Sequence, residues 1–164
     1  MPTNDPRNDQ LLSRVRTSHA RLEHALAGLT PAQLEAEVLD GGWSVKATLG
    51  HITWWEQVPL HAINGEPDED LLAGEEWDTD RANAKLLERN RARPLDEVRA
   101  AFDVSYAALV SALEALPVAR LDEPSPYGGT LETLIAGNTY LHDDEHAGYL
   151  AAAFGLELPT LPEA

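Results

Sequence analysis

The sequence predicts an all-α protein, a four-helix bundle with a long crossover connection. Three observations carry this. Apolar residues recur at spacings of three and four over four long stretches. No segment sustains period-two alternation, and β-branched residues are sparse. Capping and breaking residues fall where the periodic stretches end. The 164 residues are expected to form one domain, residues 1–164.

The first helix is expected from about Asp9 to Ala27, where Leu12, Val15, His19, Leu22 and Leu26 form one stripe. Thr30 is a helix cap with Pro31 in the first helical position, opening a short turn of helix through Glu35. Asp40-Gly41-Gly42 breaks the chain. Ser44 caps a second helix from Val45 to about Asn64, in which Pro59 is expected to cause a kink. Its apolar arc comprises Val45, Leu49, Ile52, Trp55, Pro59, Leu60 and Ile63; Lys46, Gly50, Thr53, Gln57 and His61 fall opposite. Gly65 to Asp78 reads as an acidic loop, and Thr79 to about Arg91 as a shorter polar helix. Pro94 restarts the pattern, and Leu95, Val98, Phe102, Ser105, Leu109, Ala112 and Leu116 mark a third long helix. A second loop spans Leu121 to Gly129, and Thr130 caps a last helix from Leu131 to about Phe154, followed by an extended tail. The link from Ile63 to Leu95 is long enough to cross the bundle.

Composition narrows function. Twelve basic residues against 28 acidic ones give a net charge of −16. Such a chain repels phosphate backbones and anionic headgroups, so neither nucleic acid nor a membrane is an expected partner. No apolar run approaches the roughly 20 residues that span a bilayer, and the first ten residues contain no apolar signal region. The absence of cysteine excludes disulfides, thiolate metal sites and cysteine nucleophiles, and fits a cytoplasmic location.

The histidines carry the chemistry. His142 and His146 lie four apart on the last helix, so their rings share a face and can reach one divalent ion. On a continuous helix, Leu131, Leu134, Ile135, Asn138, His142, Glu145, His146 and Tyr149 share the inward arc, and Asp143 and Asp144 point elsewhere. Helical spacing alone is permissive, and two hydrogen-bonded core histidines would look the same. An amide and a carboxylate on the same apolar face strengthen the metal reading, because unpartnered polar groups are costly there. His51, beside Trp55 on the second helix, is the candidate third ligand, and His19 is its rival; His24 and His61 look solvent-facing. The string from His142 to His146 also matches the H-x-x-E-H peptidase signature, but only 18 residues follow it, too few for the further acidic ligand such enzymes take well downstream. No P-loop, G-x-G-x-x-G or G-x-S-x-G is present.

Two blocks resemble a known family. Trp43-Ser44-Val45-Lys46, Leu49-Gly50-His51-Ile52 and Trp54-Trp55-Glu56 resemble the second helix of the DinB-like superfamily, and Ile135 to His142 through Glu145-His146 resembles its last helix. Asn83, Asn90 and the restart from Pro94 to Val98 are similar too. The wording is closest to the ClbS/DfsB branch and to relatives of the N-terminal domain of mycothiol-dependent maleylpyruvate isomerase. The resemblance implies a four-helix bundle, often a homodimer, with a divalent metal on three histidines that fall here on His51, His142 and His146. It implies thiol-dependent transferases or, in the ClbS-like branch, hydrolysis of a reactive small molecule, where a metal is not a clear requirement.

Three readings follow. In the first, zinc or nickel on the three histidines activates water or a low-molecular-weight thiol against a small-molecule substrate. Glu145, or Glu56 if it turns inward, is the candidate base; Asn138 orients a ligand or donates to an oxyanion; Trp55 and Tyr149 wall the pocket. In the second, a metal-free bundle binds or hydrolyses the reactive molecule with the same residues. In the third, the polar groups form a paired network in a non-catalytic binding protein.

Overall fold

The computed structural model describes residues 5–160. Five of the seven α-helices described begin where a side chain meets the unpaired backbone donors of the first turn. Asp5 accepts from the Arg7 amide at 2.9 Å and opens α1, Pro6–Ala27, three residues earlier than expected. Thr30 and Gln33 form a reciprocal cap on the five-residue α2, Pro31–Glu35. Gly41, at φ 72°, turns the chain through a short 3-10 segment, and Ser44 then caps α3, Val45–Asn64. Asp78 caps α4, Thr79–Ala92; Pro94 precedes α5, Leu95–Ala115; Thr130 caps α6, Leu131–Asn138; and α7 is Tyr140–Phe154. No helix among the described residues is long and apolar enough to cross a membrane.

The core gives the topology. One cluster joins Leu12 and Val15 of α1 to Val58 and Ile63 of α3, Leu109 and Leu113 of α5, and Leu134 and Ile135 of α6. The other joins Leu22 and Leu26 of α1 to Val45 and Leu49 of α3, Val98 and Phe102 of α5, and Leu150 of α7. The start of α1 is therefore level with the ends of α3 and α5, and with the start of α6. α3 and α5 run in one direction and α1 and α6–α7 in the other. Two parallel neighbours need a connection that returns the length of the bundle, and residues 65–94, containing α4, supply it. All-α, four bundle positions and the long crossover are as expected.

Three features differ from the sequence expectation. α3 is buried on almost every side, because α4 packs on the face opposite the apolar arc. Lys46 is only 8% exposed; its ammonium donates to the carbonyls of Arg91 and Arg93 at 3.2 and 2.9 Å, closing the end of α4. The acidic segment 65–78 is non-helical as expected, but Leu71 and Leu72 are buried in the core and Glu69 accepts from Trp54 and Arg89. The last helix is interrupted at Thr139, whose backbone turns to φ −127°, ψ −103°. Asn138 Nδ2 donates to the Leu134 carbonyl at 2.9 Å and Thr139 Oγ1 to Ile135 at 2.6 Å, so two adjacent side chains compete for backbone acceptors at the break. Beyond it, the buried line runs through Asp143, Ala147 and Leu150, one residue round from the arc expected of a continuous helix.

Gly50 sets how closely α4 approaches α3. A Cβ there would stand 2.1 Å from the Asn90 side chain. Asn90 cannot yield easily: it is 1% exposed and donates to the Leu86 carbonyl at 2.8 Å. Gly50→Ala should therefore cost about 1–3 kcal/mol in urea unfolding. A loss below about 0.5 kcal/mol would contradict this close contact.

Candidate metal centre

His51 projects from α3 toward α7, and the break at Thr139 aims the next two histidines back at it. His142 Nε2 lies 3.0 Å from His51 Nε2 and 3.0 Å from His146 Nε2. A ring nitrogen carries one lone pair or one proton, so His142 Nε2 can satisfy one neighbour by hydrogen bonding but not both. A cation accepts all three lone pairs. Ligands at 2.0–2.1 Å in a tetrahedron stand about 3.4 Å apart, so the ring nitrogens need to part by only a few tenths of an ångström. The three residues fit a divalent ion.

Electrostatics favour the ligand form. Burial holds His146 down to about 4. Burial, then the neighbouring His146, holds His142 to about 3, with Glu145 opposing. Burial, followed by His142 and His146, holds His51 to about 2, opposed by a contact with Asn83. All three rings are neutral at pH 7, as metal binding requires. Packing orients them: the Trp43 ring meets His51 edge-on at 5.4 Å, and Trp55 stands 6.2 Å from it. The Nδ1 atoms of His51 and His142 are buried without a hydrogen-bond partner.

The histidines form the floor of a cleft of about 1270 Å³ between α3, α4, α7 and the 38–43 turn. Trp55 forms one wall and donates to Asn83 Oδ1 at 3.1 Å. Tyr149, 58% exposed, stands at the rim and donates to Glu145 Oε1 at 2.7 Å. Asp40, Asp80 and Glu145 are the charged residues of the lining, and it contains no lysine or arginine. None of the acidic segment 65–78 reaches the cleft.

The structure thus brings His51, His142, His146, Asn138, Glu145, Trp55 and Tyr149 to one cleft. It places Glu145 outward rather than on the buried arc, for the rotation beyond Thr139 described above. It does not bring Glu56 there: at 1% exposure, Glu56 faces the bundle interior. His19 is also in the interior, away from the three rings, and His61 is half-buried against Asp68 at 3.0 Å rather than free in solvent. Trp43, Asn83, Asp40 and Asp80 line the cleft without having been singled out as site residues; only the turn glycines hinted that residues 40–43 fold back over α3.

Depressed histidine pKa values have a consequence for metal loading. Protons compete with a metal only below the pKa of the free ligand, so a loaded site should keep its ion as pH falls past 6.5 and release it near 4. Metal release followed by a chromogenic chelator across pH 8 to 3 checks this. Release centred between pH 6 and 7 would contradict the buried, neutral state of the rings.

Comparison with curated proteins finds no match. Two solved structures share the fold. An uncharacterised protein from Escherichia coli UTI89 superposes with a TM-score of 0.77 at 16% identity, covering 89% of this chain and 91% of its own. The colibactin self-resistance protein ClbS in complex with a dsDNA superposes with a TM-score of 0.74 at 17% identity, covering 92% and 96%. A protein of this fold is thus seen on duplex DNA, which overturns the exclusion of nucleic acid on net charge. A total of −16 does not fix the potential of any single face. The model of the DinB superfamily matches residues 14–150, most of the sequence and both histidine helices, and the chain belongs to that superfamily.

Proposed function

We propose that this protein is a metal-dependent enzyme acting on a small molecule, a thiol S-transferase or a detoxifying hydrolase, with zinc or nickel held by His51, His142 and His146. The observation that carries the reading is the convergence of three neutral Nε2 atoms, with His142 3.0 Å from each of the others. A divalent ion held there would lower the pKa of a bound water or thiol, so that it is deprotonated near neutral pH. Glu145 lines the same cleft and accepts protons at its carboxylate, and the Tyr149 hydroxyl holds that carboxylate in place. Asn138, fixed by its bond to the Leu134 carbonyl, presents an amide that orients a bound molecule. Trp43 and Trp55 give the cleft an apolar wall beside the His51 ring. Carboxylates at the mouth and the lack of basic residues in the lining favour an uncharged or cationic substrate over an anion.

The test is metal content and turnover of tagless protein, with His51→Ala, His142→Ala and His146→Ala combined. The expected result is loss of one bound equivalent together with loss of consumption of small electrophiles, assayed with and without added thiol. Turnover that survives both chelation and the triple change contradicts the reading, and supports a metal-free bundle in which Glu145 and Asn138 do the work.

A second reading, contact with duplex DNA, draws on the ClbS complex. It predicts a mobility shift of a DNA duplex whose affinity falls steeply between about 50 and 200 mM salt. No shift at low salt would remove it.

A further inference from the structure

A second set of ligand-type side chains lies inside the bundle, on helices that the cleft uses on their other faces. His19 of α1, Glu56 of α3 and Asp143 of α7 each place one ligand atom within 4.8 Å of the others. They are 8%, 1% and 1% exposed. They form a polar level between the two apolar clusters: His19 falls between Val15 and Leu22 of α1, Glu56 between Ile52 and Val58 of α3, and Asp143 between Ile135 and Ala147 of the last two helices. Burying two carboxyls and an imidazole is costly without partners.

Their partners are few. The Ser105 side chain stands beside the Glu56 carboxyl, but both oxygens of Glu56, Oδ1 of Asp143 and Nδ1 of His19 are buried without a well-formed hydrogen bond. No hydrogen bond joins the two carboxyls, so they do not share a proton across a short bridge. No lysine or arginine among the described residues pairs with either. His19 is held by stacking on Tyr106, with ring centres 3.4 Å apart, and on Phe102 at 5.1 Å. Its Nε2 faces the Glu23 carboxylate at 3.6 Å, and Glu23 is itself anchored by Arg99. That field favours a proton on Nε2 and leaves the Nδ1 lone pair free, the arrangement a carboxylate imposes on a ligating imidazole from its far side.

We infer that His19, Glu56 and Asp143 form a second, interior site for a divalent transition ion. Two carboxylates cancel the charge of such an ion, and one nitrogen with two oxygens suits Mn²⁺ or Zn²⁺. The site is independent of the three-histidine cleft: no residue is common to both, and its helices present it to the core. Its role is to join α1, α3 and α7 at the polar level between the two apolar clusters.

Metal counting on the full chain tests this. Protein is stripped with chelator, reloaded with Mn²⁺ or Zn²⁺, desalted and measured by mass spectrometry and thermal unfolding. The unmodified chain should retain two equivalents. Combined change of His51, His142 and His146 to Ala should leave one, and its Tm should still rise by about 5 °C or more on loading. Adding Glu56→Gln and Asp143→Asn should abolish both the remaining equivalent and the rise; circular dichroism confirms that this variant is folded. If the triple histidine variant holds less than about 0.1 equivalent and its Tm does not respond, the interior site is overturned while the cleft reading stands. If Glu56→Gln with Asp143→Asn in the otherwise native chain leaves two equivalents, the interior site is again overturned. If the native chain holds one equivalent, lost with Glu56→Gln and Asp143→Asn but kept by the triple histidine variant, the cleft reading fails and the interior site stands.

Discussion

The crowding of three imidazoles, held together by the packing of α3 against α6 and α7, is the constraint on which the cleft depends. One ring nitrogen can pair with one neighbour but not two, and a protein that sets His142 Nε2 3.0 Å from both of the others does so through its backbone. The same constraint explains the surroundings. Burial keeps the rings neutral well below the ordinary histidine range, and Trp43 and Trp55 pack against His51. The helix that carries two of them is interrupted at Asn138 and Thr139, which sets the face those two present.

That interruption divides the work of α7 between two faces. His142 and His146 look into the cleft, and Asp143 looks into the bundle. One helical turn thus serves both the three-histidine cluster and the interior one, and α3 contributes to the same two with His51 and Glu56. A bundle whose central level is polar gives up apolar burial there, and hydrophobic packing is left to the levels above and below. The close α3–α4 contact at Gly50 belongs to the same economy of space, because α4 is both a cover for α3 and a wall of the cleft.

Much of this was legible in the sequence. Caps at Thr30, Ser44 and Thr130 and the restart at Pro94 fix where helices begin, and their apolar stripes fix which faces meet. The pair His142 and His146 follows from helical spacing, and His51 from its place beside Trp55. What was not legible has a common cause. Periodicity assumes an unbroken helix, and the Asn138-Thr139 break shifts every later residue by about one position. Asp143 therefore moved from the expected outside to the core, and Glu145 to the rim. The burial of Lys46 and Thr53, opposite the apolar arc, was not legible because a second helix covering α3 leaves no periodic mark on α3 itself. Net charge failed as a guide to nucleic acid for a similar reason: it is a sum over the surface, whereas binding is decided on one face.

A crystal structure of the protein as purified, with anomalous scattering recorded, tests the central claim most directly. The account predicts an anomalous peak about 2.0–2.2 Å from Nε2 of His51, His142 and His146 together. Rings turned apart and bonded to water or to other side chains, with no peak between them, would contradict it.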